Sequence, residues 1–250
     1  MLRVKTYIAE LHCHTVLSPC AEVEMIPPLI VATAIERGIN LLAITDHNAS
    51  ANIEAVQIAA RGTELSVLPG MELQTREEVH LLCLFDSLAQ SAEWQTIVDQ
   101  YLPPFENDIE HFGEQFVVDE TGEFIRRETQ LLLTSVALSL EDAIGRVSAI
   151  GGLAIPAHVN RPAFGLIANL GFVPVDVKIE ALEVSRHLNV ADAVTKFPQI
   201  KGYPLVQGGD AHRLDELLGA NVFEMEAPTV RELKLALRGT DGRSFQVRST

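Results

Sequence analysis

Short apolar runs alternate with amphipathic stretches of helical length along this chain, and such alternation predicts a parallel sheet whose strands are joined by crossover helices. Residues 6–12 read as a strand, after which Pro27 and Pro28 open a helix to about residue 37 that Gly38 ends as a left-handed cap. Residues 41–45 read as a buried strand and 51–61 as a second helix ending at Gly62, with strands at 65–68 and 79–85 next. A helix over 89–100 stops before Pro103 and Pro104, and 116–126 has two β-prone arms around Thr121-Gly122, an inserted hairpin. The alternation resumes with a helix over 140–148, strands at 152–156, 179–184 and 205–207, and helices at 216–218 and 229–237. The 250 residues fit one α/β barrel, and no repeat, low-complexity tract or Gly/Ser linker divides them. The expectation is one domain over 1–250 with an excursion at about 102–135 near the mouth of a site.

Charge narrows the function classes. Thirty-four acidic against nineteen basic residues leave a formal charge of −15, which repels nucleic-acid phosphates and anionic lipid over most of the surface. A membrane partner and an extended nucleic-acid surface are therefore not expected, although bound divalent ions would reverse the balance locally. Three cysteines are too few for a disulfide framework, the first residues lack a signal-peptide core, and no run approaches about 18 uncharged apolar residues. The expected compartment is the cytoplasm.

Metal-ligand side chains gather where the strands end, the place at which α/β folds build their sites. His12 and His14 flank Cys13, and i, i+2 spacing on extended backbone turns both rings to one side. Asp46 and His47 follow the second strand, where an aspartate equally suits a helix cap. Glu72 is placed after the strand at 65–68, and His80 opens the next apolar run. His158 follows the strand at 152–156, and Asp210 and His212 repeat the i, i+2 arrangement after Gly208 and Gly209, which permit close backbone approach. Each has an ordinary structural reading alone, as surface glutamate or hydrogen-bonded core histidine. Six of the eight histidines, with two or three carboxylates at successive strand ends, argue together for a metal site.

The set His12-Cys13-His14-Thr15, Thr45-Asp46-His47, Glu72, His80, Ala157-His158 and Gly209-Asp210-Ala211-His212 resembles, over nearly the whole chain, the motifs of the PHP (polymerase and histidinol phosphatase) superfamily. The resemblance implies a distorted (β/α)7 barrel with two or three divalent ions (Zn, Mn, Fe or Mg) at the C-terminal ends of the strands, and metal-dependent phosphoester hydrolysis. It implies a first metal on His12, His14, Glu72 and Asp210, a second on bridging Glu72 with His80 and His158, and a third on His47 and His212. Family members usually supply one more ligand, a histidine or carboxylate, at the position that is Cys20 here. A thiolate there would favour zinc; Cys20 could instead simply pack after Pro19, and Glu22 or Glu24 could substitute from the same loop.

Phosphoryl oxygens demand cations and water demands activation, and two metals roughly 3.5 to 4 Å apart supply both. The reading is attack of metal-activated hydroxide on phosphorus, with Asp46, Glu72 and His212 as the catalytic set. Asp46 either orients a ligand histidine from behind or shuttles a proton. Arg161 and Arg186 are candidates for a phosphate clamp, with Arg213 behind them, and His187 for substrate contact. The expected substrate is a small phosphorylated metabolite or nucleotide. The alternatives are a 5′–3′ exonuclease on short oligonucleotides, for which Arg126 and Arg127 are the one adjacent basic pair, and a non-catalytic metal-binding module. Oligomeric state is left open.

Overall fold

In the computed structural model, which describes residues 4–248, the chain opens with β1 (Lys5–Cys13), then α1 (Pro27–Glu36), β2 (Leu41–Ile44) and α2 (Ile53–Ala59). Next come β3 (Ser66–Gln74), β4 (His80–Leu84), α3 (Leu88–Asp99) and the excursion, with α4 (Ile109–Phe112), β5 (Phe116–Val118) and β6 (Phe124–Arg127). The remainder runs α5 (Leu140–Ala149), β7 (Leu153–Pro156), α6 (Leu166–Leu170), β8 (Leu182–Ser185), α7 (Val190–Lys196), β9 (Leu205–Gly208), β10 (Asn221–Met225), α8 (Val230–Leu237) and β11 (Ser244–Val247). Pro27 stands in the first turn of α1, and Gly38 follows that helix at φ +70°, both as their residue types require.

The architecture is α/β, a curled sheet. Seven strands form it in the order β11-β10-β1-β2-β3-β4-β7, and β8 and β9 pair beside it. Single contacts carry the curl round. His14 N–H donates to Ala211 O and Ala211 N–H to His12 O, 3.0 Å each, beyond β9, while Val159 N–H donates to Glu183 O at 2.8 Å between β7 and β8.

The sheet is not wholly parallel, as the alternation predicted. β1, β2 and β3 are parallel, but β3 and β4 form a hairpin through residues 75–79, and β4 pairs antiparallel with β7 as well. Five connecting residues are too few for a parallel crossover, which needs about a dozen. β3 also runs through Gly70 to Gln74, so Glu72 lies within a strand and not on the loop expected after residue 68. Gly70 makes that passage possible, because a Cβ there would stand 2.8 Å from Ile44 O. The helix expected at 216–218 is a single 3-10 turn, Leu214–Glu216. β10, β11, α6 and α7 were not anticipated; the two helices are short, and β11 is half exposed.

Alternation sorts the core. Leu41 and Ala43 of β2 pack inside the curl with Leu82, Leu84, Ile155 and Val206, closed below by Leu233 and Leu237 of α8. Leu42 and Ile44 face the opposite way, onto Ile30 and Ala34 of α1 and Ile53 and Val56 of α2. A third cluster sets Leu81 and Cys83 against Trp94 and Val98 of α3 and Val147 of α5. Because β4 is reversed, its first residue, His80, lies at the same end of the sheet as the last residues of the parallel strands.

Candidate metal centre

Five histidines converge on one buried carboxylate. Glu72 Oε1 lies 3.2 Å from His12 Nε2, 2.8 Å from His80 Nδ1 and 3.0 Å from His158 Nε2. Its Oε2 lies 3.3 Å from His14 Nε2 and 3.0 Å from His47 Nδ1. Asp210 Oδ1 completes the group, 3.3 Å from both His12 Nε2 and His14 Nε2 and 3.4 Å from His212 Nδ1. β1 delivers its two histidines after a register shift against β2 between Glu10 and Cys13, the kind of bulge that re-aims a strand end. His158 and Asp210 hold positive φ, +27° and +46°, backbone strain that functional loops commonly store.

Three compact ligand sets result: His12, His14, Glu72 and Asp210; His47, Glu72 and His80; and His14, His47 and His212. The first is the set the resemblance implies for one metal. In the second, His47 joins Glu72 and His80, whereas His158 lies outside the set and contacts the same Glu72 oxygen as His80, Oε1. Cys20 is outside all three, its Sγ lying 3.0 Å from His212 Nε2. Glu22 pairs with Arg213 and Glu24 points to solvent.

These donors fit divalent ions. His47 Nδ1 and Glu72 Oε2 are 3.0 Å apart, yet both are buried and neither makes a hydrogen bond; His158 Nδ1 is likewise buried without a partner. His12 Nε2 and His14 Nε2 face each other at 3.2 Å. Buried polar atoms without partners cost about 1–3 kcal/mol each, a cost that shared cations would remove.

Charge is divided unevenly among the side chains of the centre. Burial opposes ionisation of Glu72, but His80, His12 and His47 hold its carboxyl well below the usual range. Burial likewise pushes His12 down, and Glu183, Glu72 and Asp210 outweigh it and raise the ring well above its ordinary value. His14 follows to about 9, its burial overcome by hydrogen bonds to Asp210 and Glu72. Burial dominates elsewhere and lowers His47 to about 4 and His212 to about 3, keeping both neutral at pH 7.

A supporting layer fixes the rings. Asp46 accepts from Thr15 N–H, Thr15 Oγ1 and Ser18 Oγ, 2.7 Å each. Ser18 has spent its one proton on Asp46, so at 2.9 Å it accepts from His14 Nδ1–H, which leaves Nε2 as the atom offered to a metal. Glu183 does the same for His12, its oxygens 3.0 and 3.2 Å from Nδ1, and also accepts from His158 N–H at 2.9 Å. Glu10 accepts from Gly209 N–H and Leu218 N–H at 3.1 and 2.9 Å, holding the loop that carries Asp210. Glu183, Glu10 and Ser18 are absent from the sequence reading; the available signal was an acid inside an apolar run, as in Ala181-Leu182-Glu183-Val184.

Two cavities open from the centre. One of about 590 Å³ is lined by Arg161, Arg186, His187 and Arg213 together with the acids Asp210 and Glu216. Its arginines already have partners: Arg161 Nη1 is 2.5 Å from Asp210 Oδ2, Arg186 bonds Glu216 at 2.5 Å and Gly209 O, and Arg213 bonds Glu22 at 2.8 Å. The second, about 360 Å³, shares Cys20, Arg161, Asp210 and His212 with the first and adds Phe112 and Leu133 from the excursion. Arg126 and Arg127, by contrast, pair with Glu128 and Glu114 on the exposed hairpin.

The sequence pattern of the PHP domain matches residues 10–151, which take in His12, His14, Asp46, His47, Glu72 and His80. The chain belongs to the PHP domain family. Over 90 residues this PHP chain is 34% identical to the 5′-3′ exoribonuclease Rnm of Salmonella typhimurium, an alignment that takes in 34% of this chain and 30% of the relative. It is 32% identical over 78 residues to a 5′-3′ exoribonuclease of Haemophilus influenzae, covering 30% of this chain and 27% of that one. Its fold is similar to that of a lesion-specific endonuclease, endonuclease Q of Pyrococcus furiosus, with a TM-score of 0.72 and 21% identity over 96% of this chain and 58% of that one. An amidohydrolase of Chromobacterium violaceum, solved with sulfate and no metal, matches with a TM-score of 0.56 and 21% identity over 84% of this PHP chain and 89% of its own. This PHP chain thus spans about a third or less of the matched exoribonucleases and somewhat over half of endonuclease Q.

Proposed function

We propose that this chain is a metal-dependent phosphoesterase that hydrolyses a phosphate ester of a small metabolite or nucleotide. The observation that carries the reading is that two candidate ligand sets share Glu72, both of whose oxygens face histidines, while a third, His14, His47 and His212, shares a histidine with each of them. Divalent ions held there supply positive charge for phosphoryl oxygens and lower the pKa of water. His12, His14, Glu72 and Asp210 would hold one ion, Glu72 with His80, His158 and His47 a second, and His14, His47 and His212 further positive charge.

The chain's own groups do the rest. Arg161, Arg186 and His187 bind the phosphate from the larger cavity, which they line, the two arginines exchanging their carboxylate partners Asp210 and Glu216 for it. His212, kept neutral at pH 7 by burial and with Nδ1 bonded to Asp210 O, offers Nε2 to a cation. Asp46 acts through Ser18 on the orientation of His14, with both its oxygens already accepting, a geometry that favours positioning over proton transfer. We assign the whole chain to one domain, with the 102–135 excursion as a wall of the site through Phe112 and Leu133.

A second reading, exonucleolytic hydrolysis of short oligonucleotides, is favoured by the activity named for the two similar exoribonucleases. The deciding experiment measures phosphate release from a panel of small phosphomonoesters beside nucleotide release from a short 5′-phosphorylated oligonucleotide, with manganese, zinc and magnesium in turn and a chelated control. Preference for one monoester supports the first reading and processing of the oligonucleotide the second. Silence on both with every metal overturns the proposal.

A further inference from the structure

The cavity of about 360 Å³ beside the metal centre has a character unlike its neighbour. Phe112, Leu133 and Phe164 form its apolar wall, with Glu72 and His80 behind them. The Phe164 ring lies nearly parallel to that of His80, 11° between planes and 4.5 Å between centroids, and remains 37% exposed. It is held there at a cost: Phe164 has φ +57°, a left-handed conformation that a bulky residue rarely adopts. Gly165 permits the turn, since a Cβ at that position would stand 2.2 Å from Arg161 O, and His80 N–H locks it by donating to Phe164 O at 3.0 Å. An aromatic face in a strained, twice-secured loop, open to a cavity and not buried in a core, is a surface kept for something flat.

Polarity is divided across the centre in a way that matches one kind of molecule. On the far side of Asp210 and His212 the wall is charged, with Arg186 and Arg213 paired to Glu216 and Glu22; on the near side it is aromatic, and the two cavities share Cys20, Arg161, Asp210 and His212. A molecule with a flat apolar ring at one end and a phosphate at the other spans such a site. The near cavity sits at the small end of the range that holds one ligand.

We infer that the Phe112–Leu133–Phe164 cavity stacks a nucleobase, so that base-bearing phosphate esters are the substrate class of this centre. The inference rests on the phosphoesterase reading and deepens it. The base comes either from a free nucleotide or from the end of a short strand, and the stacking chemistry is common to both.

The test compares kcat/KM for a 5′-nucleoside monophosphate with that for ribose 5-phosphate, which lacks the base, and runs a dinucleotide beside them to tell a free nucleotide from a strand end. Phe112→Ala and Phe164→Leu lower the base-to-baseless ratio by about 5- to 150-fold, the range of base stacking on one aromatic ring, and Phe112→Trp retains it. A ratio unchanged in both variants overturns the inference, as does equal loss on base-bearing and baseless esters. A second readout is independent of turnover: quenching of 2-aminopurine riboside 5′-monophosphate fluorescence on mixing with zinc-loaded protein, read before any product accumulates. Quenching that Phe112→Ala abolishes, in a protein that hydrolyses no phosphoester, supports the cavity and overturns the phosphoesterase reading. Hydrolysis with no quenching and an unchanged ratio overturns the cavity and leaves the phosphoesterase reading standing.

Discussion

Arg161 and Asp210 share one ion pair whose two ends look in different directions. Arg161 Nη1 lies 2.5 Å from Asp210 Oδ2, while Oδ1 of the same carboxylate faces His12 and His14 at 3.3 Å each. The arginine side chain is 41% exposed and borders both cavities, so it links the ligand cluster to the space where substrate would lie. Arg161→Gln keeps an amide N–H donor on a shorter side chain and removes the charge. A hydrogen bond to a charged group is worth about 1.5–3 kcal/mol, and exposure places the effect near the low end. KM for a phosphate ester should rise about tenfold with a smaller change in kcat, which steady-state kinetics on metal-loaded protein would resolve.

Glu72→Gln preserves shape and removes the only charge that all five neighbouring rings share. Turnover should disappear and bound metal fall when both are measured on the same preparation, the metal by elemental analysis. His47→Ala spares His12, His14, Glu72 and Asp210, so it should lose only part of the metal. Wild-type rates in both variants would remove the functional assignment.

Glu183 touches neither cavity, yet it fixes the proton of His12 on Nδ1. Partners of this kind typically contribute 10–100-fold to metal affinity, roughly the loss expected for Glu183→Gln in a chelator competition titration. Gly208→Ala should have a similar effect by a different route, because its Cβ would lie 2.1 Å from Glu183 Oε2. If either variant bound metal as the native chain does, positioning of His12 by Glu183 would be excluded.

Chelation should destabilise the fold, since the cluster binds cations only when assembled. At a free metal concentration about a hundredfold above Kd the expected loss is about 2.7 kcal/mol, or about 5–10 °C in Tm for a domain of this size. Differential scanning calorimetry with and without chelator measures it, and identical melting curves would count against a metal centre at these residues.

The convergence of the candidate residues was legible because polar residues that leave a buried strand have few places to go. His12, His14, Asp46, His47, His158, Asp210 and His212 all follow apolar runs, and each lies at or behind the centre. His80 was expected at the start of its strand, where it stands, but Glu72 was set on the wrong element, since Pro69-Gly70 looks like a strand's end when it is a strand passing close to Ile44 O. The reversal of β4 was hidden for the same reason. Glu10 and Glu183 look like the exposed half of an alternating strand until tertiary contacts supply their partners. The arginines were placed near the cavity correctly, but their carboxylate partners lie 30 or more residues away and left no local trace.

β1 carries His12 and leads directly into His14, and it is flanked by β2 on one edge and β10 on the other. The β10 contacts join residues that are very distant along the chain, as in Thr6 to Glu224, 218 positions apart. Loop closure over such a span is slow, and pairings of this kind form late in folding. β10 holds only the first half of β1, Lys5 to Ala9, while His12 and His14 are held on that side by Ala211, so the segment that fixes these two rings is the same one that carries Asp210 and His212.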